Sequence, residues 1–401
     1  MRGRLAARLA AIASSVRGLL AQRRKARLQR VTGQRVEQYL DRLVADAIQF
    51  NETPSPTPRE EQRTAFITRR LEELGVHFSQ EEREGNILVQ FPAAGPTRET
   101  VLLFACIENE DYSPMESLVK LGRVRATGQG MAGNSLAVAC LLVLAEHMQK
   151  SGTAYACNLE LLFTGLKGAG VSGSALERFL DRSPGDPRAA FYLTGTTLGA
   201  IARDPVGTCR LAVSVRTRDR EVSASAGAGS AVSVLSDIAH QLGGIRWDAA
   251  GDTFLNVARL EAGAGYGRFA AEGLMEVEIF ARDTGRLETS RDAVLATTRK
   301  IAERTGATIR IETSGLIPAG DAELRRPLVE ALRRVHARLG IRSRLVSRPD
   351  PTALLNARGI PALSLGLTTG SRSFREEYVD LPPLESGFQQ LLLLLEGVAG
   401  R

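Results

Sequence analysis

The sequence predicts an α/β protein in which a mixed sheet is covered by helices on both faces and a smaller βαββαβ unit is inserted into the chain. Three observations lead there. Between residues 86 and 194 short apolar runs alternate with helical patterns, the order that buries strands in a largely parallel, doubly covered sheet. Near Gly207 the order becomes strand, helix, strand, strand, helix, strand, and after Gly315 the alternating pattern resumes. At 401 residues the chain is also longer than one growing core supports, so a large domain with a smaller companion is expected.

The first 36 residues stand apart. They hold ten of the 52 basic residues and no acid, with Leu5, Leu9, Ile12, Val16, Leu19 and Leu20 at helical spacing. This reads as a basic amphipathic leader helix. Weak contact of residues 1–30 with an anionic membrane surface is one expectation; an organelle transit peptide and a helix packed on the body are the others. The remainder carries 42 basic against 45 acidic residues, so the formal charge of +7 belongs to the leader and no nucleic-acid partner is expected.

Residues 36–49 and a segment starting near Arg59 read as helices, joined by Pro54, Pro56 and Pro58, which set a rigid turn and open the second helix. Strands are expected at 86–91, 100–106, 158–164 and 189–194, and helices at 135–149 and 174–180, within a first α/β segment spanning 37–208. The inserted unit, 209–317, takes strands at 209–216, 254–260, 274–281 and 308–313 and helices at 229–242 and 287–304. The second α/β segment, 318–401, has helices at 322–339 and 384–398 and a strand ending at Gly366. No apolar run is expected to reach the ~18 residues of a membrane span. Four scattered cysteines, three of them in apolar runs, read as buried free thiols in a reducing, cytoplasmic setting.

The strand at 100–106 ends Cys106-Ile107-Glu108, and the helix after it opens on Gly128-Gln129-Gly130-Met131-Ala132-Gly133-Asn134. With Pro54-Ser55-Pro56, Gly85-Asn86, Gly359-Ile360-Pro361-Ala362 and Glu377-Tyr378-Val379, these segments resemble the aminoacylase, acetylornithine deacetylase and peptidase T family of dizinc exopeptidases over about residues 37–401. The resemblance implies a zinc-exopeptidase-like fold with an inserted ferredoxin-like lid, through which two copies pair, and a cleft that in the family holds two zinc ions. In that family the strand ends His-x-Asp and the turn runs Gly-x-Gly-x-x-Asp, with the last aspartate bridging the metals.

Carried over by that resemblance, the metal positions fall at Cys106, Gly133, Gly168, Thr194 and Ser373. The catalytic glutamate falls at Lys167, and the aspartate behind the first ligand at Glu108. Only the thiol is a competent zinc ligand, and an ammonium cannot serve as the carboxylate base. Arg282 resembles the arginine that binds substrate carboxylate across the cleft, although a plain surface arginine explains it as well. Asn134 is kept from the family turn, where it holds the glycine loop. His77, His147, His240 and His336 lie away from strand ends and read as surface or packing residues.

Two other sites are open at this point. Cys106, Glu108, Asp350 and Glu377 would form a rebuilt metal site if they converged, against which stand the glycine at the bridging position and the cation at the base position. Gly168-Ala169-Gly170-Val171-Ser172-Gly173 matches a dinucleotide-binding turn, but the following strand lacks the acid that would take the ribose. The reading that results is a pseudo-peptidase with no cofactor of its own, kept for binding a carboxylate-bearing peptide or amino acid, or for assembly as a homodimer. The alternatives are an active hydrolase of peptides or N-acyl amino acids with a rebuilt site and, less favoured, a dinucleotide-binding protein.

Overall fold

The computed structural model describes residues 36–54, 60–81, 85–108, 117–165, 175–183, 185–217, 230–245, 253–263, 265–373 and 376–400. The basic leader, Lys167 and the glycine motif 168–173 lie outside these residues. The chain runs through α1 (Glu37–Glu52), α2 (Glu61–Glu73), β1 (Phe78–Gln80), β2 (Ile87–Phe91), β3 (Glu99–Cys106), β4 (Lys120–Leu121) and β5 (Arg125–Thr127). A π-turn at Met131–Ser135 leads into α3 (Leu136–Ser151), followed by β6 (Asn158–Thr164), α4 (Ala175–Arg182), β7 (Asp186–Thr194) and β8 (Ala200–Pro205).

Next come β9 (Gly207–Arg216), α5 (Ala231–Gly244), β10 (Thr253–Ala262), β11 (Glu272–Ala281), α6 (Thr284–Thr305) and β12 (Thr308–Ile317). The return contains α7 (Ala322–Leu339), β13 (Arg344–Arg348), α8 (Thr352–Ala357), β14 (Ala362–Gly366), β15 (Gly370–Arg372), β16 (Glu377–Asp380) and α9 (Leu384–Val398).

The main sheet has the order β1-β2-β6-β3-β7-β14, with β1, β2 and β6 paired antiparallel and the remaining neighbours parallel. Its centre is apolar on both faces because β3 is. Val101, Leu103 and Ala105 join the core that includes α3 and α9, while Leu102, Phe104 and Cys106 join the layer of α4 and α8. A strand with side chains alternating at period 2 must be apolar throughout to be covered on both sides.

Met131–Ser151 corrects one sequence expectation, since this helix has the length and composition to cross a membrane. It is instead 89% buried, because it is apolar all round and is enclosed by the sheet and by α1 and α2.

β9 to β12 form a separate antiparallel sheet in the order β10-β11-β9-β12. On β9, Leu211, Val213 and Val215 point into a second core with Val234, Ile238, Val294 and Ile301 of α5 and α6. Helix ends here follow local chemistry. The side chains of Ser230, Asp283 and Asp321 accept the first free backbone N–H groups of α5, α6 and α7, and left-handed Gly306 and Gly340 close α6 and α7. Two small sheets, β13 parallel to β8 and the antiparallel β15-β16-β5-β4, were not anticipated. Strands of two to six residues carry too little periodicity to be read, yet these strands wall the cleft described next.

Candidate functional site

A cleft of about 460 Å³ opens where β3 and β7 end, the side of a parallel sheet on which loops converge. Cys106, Glu108, Tyr192 and Thr194 come from those strand ends, and Gly130, Gly133 and Asn134 from the π-turn. Thr208, Arg210, Phe280 and Ile317 face it from the inserted sheet. Arg348 to Pro351, Arg372 and Glu377 complete it from the small sheets and their loops.

Seven residues singled out in the sequence, Cys106, Glu108, Gly133, Asn134, Thr194, Asp350 and Glu377, therefore meet in one place. Ser373 does not line the cleft. Its hydroxyl donates to the Glu376 carbonyl at 2.9 Å and accepts from the Glu376 N–H at 3.2 Å, which closes a local turn. Arg282 is likewise outside the lining: its Nε donates to Ser347 Oγ at 2.9 Å and lies 3.7 Å from Asp204. Lys167 and Gly168 are not among the described residues. Sequence reasoning missed Arg63, Arg210, Arg348 and Arg372, all of which line the cleft. Arg372 could have been noticed as a cation next to a lost ligand position, while nothing in the chain order announces Arg348.

The turn is fixed to its surroundings by polar bonds. Asn134 Nδ2 donates to the Glu108 carbonyl at 2.6 Å, and the Ala132 N–H donates to Glu377 Oε1 at 2.8 Å. Gly195 is required opposite it, since a Cβ there would lie 2.7 Å from the Ala132 carbonyl oxygen. Asp350 is held from several sides: its carboxylate accepts from the Thr352 N–H at 2.9 Å, from the Thr352 hydroxyl and from Ser364 Oγ at 3.0 Å, with Arg325 at 3.8 Å. Arg325, fully buried, is held in turn by Asn356 Oδ1, the Ala202 carbonyl and the Thr352 hydroxyl. The Cys106 thiol donates to the Tyr192 hydroxyl at 3.6 Å, and burial, then Cys106, push the Tyr192 phenol well above its ordinary pKa, so it stays neutral.

This donor set does not fit a dizinc centre. A Cβ added to Gly133, at the position the resemblance assigns to the bridging carboxylate, would sit 3.7 Å from Cζ of Arg372. A guanidinium thus borders the space into which a bridging ligand would project. Thr194 offers a neutral hydroxyl, and Asp350 and Glu377 are already bonded. Among the described residues no three His, Cys, Asp or Glu side chains gather as a metal-binding group. His147 and His336 are buried in the helical layer, His77 and His240 are exposed, and none lines the cleft.

No family model and no curated protein sequence matches this chain. Solved structures do. Aminopeptidase PepT from Bacillus cereus superposes with a TM-score of 0.66 at 16% identity, covering 90% of this chain and 99% of that one. A tripeptidase from Staphylococcus aureus gives 0.71 at 15%, with coverage of 90% and 99%. The Bacillus subtilis YXEP protein, described as a dinuclear metal-binding peptidase of the M20 family, gives 0.62 at 14%, again covering 90% and 99%. At such identities the likeness establishes the fold: an α/β peptidase and amidohydrolase architecture with a catalytic-type domain and a lid.

Proposed function

We propose that this chain is a hydrolytically inactive protein on the peptidase fold, whose cleft binds a ligand instead of cleaving one and whose lid unit pairs two copies. The observation that carries the reading is the Arg372 guanidinium beside Gly133. A cation there repels a metal ion, and Gly133 itself offers no bridging carboxylate. Without a metal ion to lower the pKa of water, the cleft lacks the nucleophile that such hydrolysis needs.

The test is elemental analysis of the purified full chain together with a panel of dipeptides and N-acyl amino acids. Substoichiometric zinc, no turnover and no rise in melting temperature on adding zinc are expected, since an ion that does not bind the folded state cannot stabilise it. One or two tightly held zinc ions per chain with chelator-sensitive cleavage would overturn the proposal in favour of a hydrolase with a rebuilt site. The pairing part of the proposal draws on β10, which among the described residues is an edge of the lid sheet and exposes Phe254 and Leu260.

A further inference from the structure

We infer that Arg348 and Arg372 form a seat for the oxyanion group, carboxylate or phosphate, of a small-molecule ligand in the cleft. The inference rests on the reading of the cleft as a metal-free binding site. Its starting point is a charge imbalance. Three carboxylates, Glu108, Asp350 and Glu377, line the cleft beside four arginines; Asp350 is held by Thr352, Ser364 and Arg325, and Glu377 by the Ala132 N–H. Arg348 and Arg372, by contrast, have no carboxylate within 4.0 Å among the described residues.

Arg348 is nevertheless held in place. Its Nη2 donates to Thr197 Oγ1 at 3.2 Å and to Ser364 Oγ at 3.5 Å. These are neutral acceptors, so they orient the guanidinium without consuming its charge. Thr197 adopts φ 76°, a left-handed backbone that a β-branched residue rarely takes. Strain of this kind persists where the surroundings over-determine it, and here it sets the hydroxyl against Arg348. The two arginines belong to one neighbourhood, because both line the cleft, where Asp350 shares Ser364 with Arg348.

A guanidinium presents a planar fork that matches a carboxylate or phosphate edge. Arg372 is exposed and reachable, and about 460 Å³ accommodates a metabolite-sized ligand. Phe280, Ile317, Pro349 and Pro351 supply an apolar wall for the rest of the molecule.

Titration calorimetry on the full chain, stripped with chelator and held at low ionic strength, tests this with succinate, inorganic phosphate and the neutral isostere succinamide. Succinate, phosphate or both should bind saturably and succinamide should not. A response to succinate alone assigns a carboxylate, and one to phosphate alone assigns a phosphate ester. Arg372→Met and Arg348→Met should each weaken binding about tenfold or more, while Arg310→Met, on an exposed strand of the lid, should not. No saturable binding of either anion, or unchanged affinity in Arg372→Met, would overturn the inference. If Arg348→Met fails to fold, the exposed Arg372 decides alone. Because the protein is metal-stripped, zinc-dependent turnover of untreated protein would sink the inactive-cleft reading without touching this result.

Discussion

His336 is 1% exposed and has both ring nitrogens engaged, Nε2 with Gln390 Oε1 at 2.6 Å and Nδ1 with Ser343 Oγ at 2.8 Å. Gln390 Nε2 donates to the Gly366 carbonyl, so its oxygen faces the ring and the imidazole donates from Nε2. Burial lowers the His336 pKa, with the Gln390 bond opposing, and burial alone lowers that of His147, which packs edge-on against Tyr39. Each folded-state pKa therefore lies below that of the unfolded chain. Their contribution to stability is whole above the unfolded value of about 6.5 and is lost as pH falls through it toward the folded value. Urea unfolding should show the natural protein losing stability from about pH 7 to about pH 5 more steeply than His336→Gln or His147→Gln. Comparing slopes cancels Asp46 and Glu160, whose carboxyls burial pushes up. Parallel slopes would show that neither imidazole is held neutral.

Among elements, α9 shows how position decides the worth of a glycine. A Cβ on Gly387 would lie 1.7 Å from the Leu367 carbonyl oxygen, and Leu367 cannot retreat because its N–H is bonded to Thr194 and that of Thr368 to Gly195. Gly397, one helix face away in the same element, has open space around its Cβ direction. Gly387→Ala should cost about 3 kcal/mol by forcing the helix off β14 and the loop behind it. Gly397→Ala should gain about 0.5 kcal/mol or more from helix propensity. Denaturation midpoints test the pair, and equal, small effects would mean that α9 does not seat on Leu367.

The long elements of this kind were readable in the chain: β3 from an unbroken apolar run, α7 and α9 from helical periodicity, and the lid from its strand order. The small sheets were not, since no period is visible in the three residues of β15 or the two of β4. The cleft was legible by its losses, at Gly133, Thr194 and Cys106. Its arginines were not, because Arg348 is brought there by the pairing of β13 with the distant β8, and Arg372 by β15, which pairs with β16 and through it with the distant β5.

At the scale of the whole molecule, the lid and the main domain have separate cores, and among the described residues helices cover one face of the lid sheet. Its open face is laced by cross-strand pairs, Arg216 with Glu272 and Arg210 with Glu278, which suit solvent or a ligand more than a buried contact. An interface with a second copy therefore has its best purchase at the edge and not on that face. On β10, Phe254 is 61% exposed, although stacked on Phe280, and Leu260 is 42% exposed. Free backbone groups beside exposed apolar side chains invite strand pairing, and an edge lysine is the usual way of preventing it. Sedimentation at micromolar concentration should therefore give twice the chain mass for the natural protein. Leu260→Lys should give a monomer with an unchanged melting profile in the main domain, because the site is exposed and lies on the lid. A monomeric natural protein would remove the assembly part of the proposal, and a dimer indifferent to Leu260→Lys would move the interface to another surface of the lid or to the main domain.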